Sequence, residues 1–200
     1  MGRTYEEIDE RLARFLDRQH VFFVATAPSG DDGHVNLSPK GLDGTFAVLD
    51  PTTVAYLDLT GSGVETIAHL KENGRIVVMF CTFEGPPRIL RLHGRGEVVP
   101  TDDSRFEDLA GRFPARPGIR SVILISVERI ADSCGYGVPL MRYQGERDEL
   151  DRWAERKGPE GLEQYRATRN ARSIDGLPGL SGTVATNGAI PEPGVVRRGE

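Results

Sequence analysis

Ala55-Tyr56-Leu57-Asp58-Leu59-Thr60-Gly61-Ser62-Gly63-Val64-Glu65-Thr66 carries the chain from one kind of structure into another. Thr53 to Leu59 is apolar and β-compatible, so it reads as a strand. Thr60 to Gly63 holds only small residues and reads as a turn. Val64, Ile67, Ala68 and Leu70 then fall at helical spacing, and Glu72-Asn73-Gly74 supplies a C-terminal stop. Arg75 to Thr82 follows as a fully apolar strand. On the N-terminal side, Val21 to Thr26 and Val35 to Ser38 flank the turn cluster Pro28 to Gly33 and form a hairpin that stops at Pro39. Thr45 to Leu49 precedes the Asp50-Pro51 turn. On the C-terminal side, Arg88 to Val99 and Ser121 to Ile130 are further strands. The segment Asp102 to Phe113 between them is a short helix with Phe106, Leu109 and Phe113 inward. About six strands with an inserted helix predict a mainly β (α+β) fold, a small closed barrel, because closure removes exposed strand edges.

Helices cover this barrel. Thr4 and Glu7 have capping-box spacing, and Ile8, Leu12, Phe15 and Leu16 give one apolar face of a helix ending near Arg18 or Gln19. Asp148 to Lys157 and Leu162 to Arg172 predict two more. After Ser173 the composition turns to Gly and Pro, so residues 1–181 are expected to be the domain and 182–200 a mobile tail.

The 200 residues carry 25 Lys+Arg against 30 Asp+Glu, a net charge of −5, which argues against a nucleic-acid binder. No apolar run approaches a membrane span, and the charged N-terminus is unlike a signal peptide, so a cytoplasmic protein is expected. Cys81 and Cys134 form no CxxC pair and are expected to be buried, reduced thiols. His20, His34, His69 and His93 show no HxH or HExxH spacing, so no metal centre is expected.

Three places offer chemistry. Asn36 to Gly41 is a polar strand end containing Lys40, the only formal positive charge between Arg18 and Lys71. Thr60 to Thr66 enters a helix, where backbone N–H groups, hydroxyls and the positive helix end suit an anion. It also reads as an ordinary capped turn, and spacing does not decide between the two. Ser133-Cys134-Gly135-Tyr136-Gly137-Val138-Pro139 reads either as an approach to a planar ligand or as a tight turn in which Tyr136 packs. Asp58 is read as a cap for the loop after it rather than a base. No strong acid, base or nucleophile stands out, which suits a protein whose reactivity comes from a bound cofactor.

Taken in order, Val35 to Gly41, Ala55 to Thr66, Arg75 to Phe80, Pro87 to Gly96, Cys134 to Pro139 and Ser173 to Leu180 resemble the pyridoxamine 5′-phosphate oxidase family, in its FMN-binding, oxidase-related branch. The resemblance implies a six-stranded split β-barrel and a homodimer with FMN between subunits, Ser133 to Pro139 lying near that seam. It implies that Ser38 and Lys40, with Ser62, Gly63, Glu65 and Thr66, meet the flavin phosphate. The B6 oxidases carry Ser-Arg-Lys where this chain has Gly-Val-Glu-Thr, so either Lys40 with Arg88 or Arg91 supplies the compensating charge, or N–H and hydroxyl donors hold most of the phosphate. Their C-terminal Trp and Arg-x-His-x-Arg segment have no counterpart here, which speaks against vitamin B6 oxidation. The expected function is an oxidoreductase in which FMN, or a deazaflavin coenzyme, exchanges hydride with a small molecule, with reduced nicotinamide as a donor. The alternative is a non-catalytic flavin or haem module, with His69 and His93 as the ligands open to haem.

Overall fold

A computed structural model of the chain describes residues 2–180. In chain order the elements are β1 (Thr4–Tyr5), α1 (Glu10–Asp17), β2 (Phe22–Thr26), β3 (Asn36–Lys40), β4 (Phe46–Asp50) and β5 (Thr53–Leu59). There follow α2 (Glu65–Asn73), β6 (Arg75–Cys81), β7 (Ile89–Pro100), α3 (Phe106–Ala110), β8 (Ile119–Ser133) and α4 (Glu149–Arg169). The strands form one antiparallel sheet in the order β3-β2-β6-β7-β8-β5-β4, with β1 added alongside β8. The long β7 and β8 run together from Ile89↔Ser133 to Pro100↔Ser121 and form its spine.

Alternation along these strands sorts side chains between a core and an outer face. Phe22, Val24, Val78, Phe80, Leu90 and Leu92 point into the main core, which α1 closes with Leu12, Phe15 and Leu16 and α2 with Ile67 and Leu70. Phe22, Phe46, Tyr56 and Phe80 pack ring to ring there, with centroids 5.0–5.5 Å apart. A second core on the other side of β5 collects Ala55, Leu57, Val99, Phe106, Phe113 and Val122. This is why β5 is apolar on both faces instead of alternating.

Several expectations are corrected. The sheet has eight strands and its ladder does not close, instead of six in a closed barrel. The strand not anticipated at all is β1, which pairs with β8 through Thr4↔Ala131 and is fastened by hydrogen bonds from Arg3 N and Tyr5 Oη to the Asp132 carboxylate. At one edge, β3 contains Pro39, which has no N–H to offer a further strand. At the other edge, the β4–β5 register is irregular between Val48 and Asp50. Thr4 therefore belongs to a strand and not to a capping box. The cap of α1 is Asp9, whose Oδ1 accepts from Leu12 N at 2.7 Å. Ile8 precedes the helix yet is buried in the core as expected. Cys81 is buried, whereas Cys134 is exposed.

The other helices keep their expected places. Gly74 ends α2 in the left-handed conformation, its N–H bonded to Leu70 O. α4 contains the two expected helices, separated at Gly158, where φ is 66° and Pro159 begins the second. Only a residue without a Cβ takes that φ readily, and the proline ring suits a first helical turn. The tail expected from residue 182 lies outside the described residues.

Candidate functional site

Register fixes where β3 points. Asn36 is opposite Thr26, Ser38 opposite Val24, and Lys40 opposite Phe22, so all three look toward the core side of the sheet. They meet the first turn of α2. Asn36 Nδ2 donates to both Thr26 Oγ1 and Thr66 Oγ1, at 3.1 and 3.0 Å, and Asn36 Oδ1 accepts from Ser38 Oγ at 3.0 Å. Ser38 thus spends its only proton on Asn36, while the buried Thr66 hydroxyl accepts from Asn36.

Lys40 is no solvated turn residue. Its side chain is 24% exposed, and Nζ lies 3.8 Å from Oδ1 of Asp58. That distance is an ion pair without a hydrogen bond, so the ammonium protons remain available. Asp58 is completely buried at the end of β5 and is held by Arg120 Nε at 2.6 Å and Ser121 Oγ at 3.1 Å. Burial pushes its carboxyl up, but Arg120 and then Lys40 outweigh this and hold it below the usual carboxylate range. Asp58 is therefore a fixed anion and not a base. It does not cap the loop itself; it acts through Arg120.

The loop between β5 and α2 is gripped from behind. Arg120 Nη1 donates to Gly63 O and to Asn170 Oδ1, both at 2.9 Å, and Asn170 Nδ2 donates to Gly61 O at 3.0 Å. Arg166 Nε donates to Thr60 Oγ1 at 2.8 Å. A peptide plane sends its C=O and the next N–H in opposite directions. Holding the carbonyls of Gly61 and Gly63 toward Arg120 and Asn170 therefore turns the N–H groups of Ser62 and Val64 the other way. α2 also has no side-chain cap at its N-terminus. Its partial positive charge faces outward beside Thr66. Glu65 folds back over this loop so closely that a Cβ on Gly63 would meet its Oε2 at 2.5 Å.

Ser38, Lys40, Ser62, Gly63, Glu65 and Thr66 are thus brought to one corner, where β3, β5 and α2 meet. Arg88 and Arg91 are not. Arg88 donates to Tyr5 Oη and Asp132 Oδ2 and lies over the Phe15 ring, although it borders the same cavity as Lys40. Arg91 is on the opposite face of β7, where Nη1 donates to Ser133 Oγ. That cavity, about 1320 Å³, opens between α1, the end of β3 and residues 141–147, and Thr60 and Gly61 form part of its wall. At its rim His20 Nδ1 is 3.1 Å from Asp43 Oδ1, and Tyr143 stacks on the His20 ring while donating to Glu146 Oε1. The ligand atoms of His20, Asp43 and Glu146 lie within 4.8 Å of one another, but all three residues are exposed and already engaged.

The two histidines considered for haem do not converge. His69 is fully buried on α2 with Nδ1 against Thr26 Oγ1, whereas His93 lies on the outer face of β7 opposite Arg129. Tyr136 is 82% exposed, so it does not pack in its own chain.

Sequence reasoning missed Arg120, Asn170 and Arg166. A signal for the first was present: one acid in an otherwise apolar β5 and one base at the start of an apolar β8 are natural partners, because neither is buried alone at low cost. Nothing local marks Asn170 or Arg166.

A family model described as pyridoxamine 5′-phosphate oxidase matches residues 8–134, well over half of the chain. The chain belongs to that family. It is also 42% identical over 200 residues to the pyridoxamine 5′-phosphate oxidase family protein ustO of Aspergillus flavus, a match covering 92% of this chain and 80% of the relative. Among solved structures it resembles two crystal structures of Group A Streptococcus HupZ, one of them of a single-residue variant. These match at TM-scores of 0.52 and 0.50 and 26% identity, over 63% and 62% of this chain and 99% and 91% of theirs. The family-model match ends before α4, whereas the match to ustO, covering 92% of the chain, extends into it.

Proposed function

We propose that this member of the pyridoxamine 5′-phosphate oxidase family binds FMN and serves as a flavin-dependent oxidoreductase for a small molecule. The observation that carries the reading is the uncapped N-terminus of α2. Its first turn is tied through the Asn36–Thr66 hydrogen bond to β3, the strand that ends in Lys40. Such a set offers a phosphate several N–H or O–H donors and one cation, without the Ser-Arg-Lys of the B6 oxidases. The adjoining cavity exceeds the roughly 300–1,000 Å³ usual for small-ligand sites, leaving space for a tricyclic ring and a second reactant.

When bound, the flavin supplies the redox chemistry. The chain's own residues supply position: Lys40 and Thr66 would hold the phosphate, and the loop amides would orient it. Buried Asp58 pairs with Lys40 without lining the cavity. A deazaflavin with a phosphate-bearing tail would use the same contacts. Haem is the weaker reading, because His69 has no exposed edge.

The partner expected for the outer face is a second copy. Leu37 and Pro39 of β3 share that face with Phe23, Ala25, Val77 and Met79, and Leu37 is 63% exposed. An apolar, self-facing sheet of this kind suits a twofold interface. The test is direct: FMN added to purified protein should quench its fluorescence and stay with the protein through gel filtration. A protein that takes up no flavin refutes the proposal. Turnover of reduced nicotinamide with an electron acceptor marks an enzyme, and bound flavin without turnover marks a carrier.

A further inference from the structure

We propose that α4, through Asn170 and Arg166, is the positioning element that keeps the Thr60–Gly63 loop in its anion-receiving shape. The inference rests on reading that loop as the phosphate seat. Asn170 is fully buried at the C-cap of α4 and is fixed at both ends of its backbone: its N–H bonds Arg166 O, and its carbonyl accepts from Leu180 N. Its side chain is saturated in one direction only. Nδ2 grips Gly61 O, and Oδ1 receives Arg120, which grips Gly63 O in turn. Arg166 adds a third hold through Thr60 Oγ1 and anchors itself on Ile119 O. Every one of these contacts lies on the side of the loop away from the amides of Ser62 and Val64. Neither residue touches the ligand, so each acts through the orientation of peptide planes.

Apart from Thr60, whose N–H and Oγ1 both donate to Gly118 O at 2.8 Å, the loop has little hold of its own. Its residues are glycine or small, Ser62 and Gly63 are exposed, and α2 has no side-chain cap. Without Asn170 the Gly61–Ser62 peptide is free to rotate, because a glycine offers almost no steric resistance. A rotated peptide presents a carbonyl to the phosphate in place of an N–H. The effect would be specific to the anion, because these contacts orient only the amides of the loop.

The experiment compares FMN with riboflavin, which lacks the phosphate, by fluorescence titration of the full chain. In the unaltered protein FMN is expected to bind much more tightly than riboflavin. Asn170→Ala is expected to weaken FMN by about ten-fold or more while leaving riboflavin within about two-fold. Thermal unfolding of the variant is followed in parallel. Arg166→Gln, which keeps the buried Asn170–Arg120 pair, is expected to show the same selective loss in smaller measure if Asn170→Ala does not fold. An Asn170→Ala protein that keeps its FMN preference overturns the inference and leaves the phosphate seat standing, as does equal loss of both ligands, the mark of a merely structural role. If the unaltered protein itself does not distinguish FMN from riboflavin, the phosphate seat is wrong and the inference falls with it.

Discussion

Lys40 stands 3.8 Å from a carboxylate that has no exposure to water. Replacing it has two separable effects. A charge-assisted contact to phosphate contributes about 1.5–3 kcal/mol, so Lys40→Ala should weaken FMN binding by roughly 10- to 100-fold in a titration. Asp58 also loses a cation. In the folded chain its carboxyl sits below the usual range, so its stabilisation is complete above the unfolded value of about 3.9 and is lost as pH falls through the lower folded value. Lys40→Ala raises that folded value, and acid unfolding followed by circular dichroism should begin at higher pH. Glu65 acts in the opposite sense. Its carboxylate lies against Gly63, where a phosphate would approach. At about 4 Å in a water-like dielectric, like charges cost about 1 kcal/mol, so Glu65→Gln should tighten FMN roughly five-fold at low salt and less at high salt. An unchanged affinity would place the phosphate away from the helix end.

Two short elements at the N-terminus depend on single side chains. Tyr5 Oη donates to Asp132 and accepts from Arg88, so Tyr5→Phe leaves the ion pair but removes both bonds. About 1 kcal/mol should be lost in urea unfolding. Asp9→Ala removes the cap of α1 and should cost about 0.5–2 kcal/mol. These are also the elements that the sequence conceals. Thr4 and Glu7 mimic a capping box because hydroxyl-to-carboxylate spacing is the same whether or not a helix follows. The decisive fact, that Thr4 and Tyr5 pair with β8, is a contact between residues more than a hundred positions apart. The strands from Phe22 onward were legible because burial leaves alternation in the chain itself, and α2 was legible because Gly74 punctuates it. The site was half legible. Lys40, Thr66 and the loop declare themselves by residue type, whereas Asn170 and Arg166 acquire meaning only once α4 folds back on the loop.

At the scale of the molecule, the outer face of β3, β2 and β6 is the feature still without a partner. A second copy should cover it, so light scattering of the flavin-bound protein is expected to give twice the 21.9 kDa of one chain. Leu37→Glu should shift that mass toward a single chain, because a buried unpaired carboxylate is far costlier than an exposed leucine. A monomer in both proteins would refute the interface. No helix among the described residues is long and apolar enough to cross a membrane. The seam between β1 and β8 has one more consequence, in time. The ribosome makes Tyr5 127 residues before its partner Asp132. At about 5–20 residues per second, the N-terminal strand waits roughly ten seconds for its template. Nascent chains halted before Ser133 emerges should stay open to protease, and those halted beyond it should close.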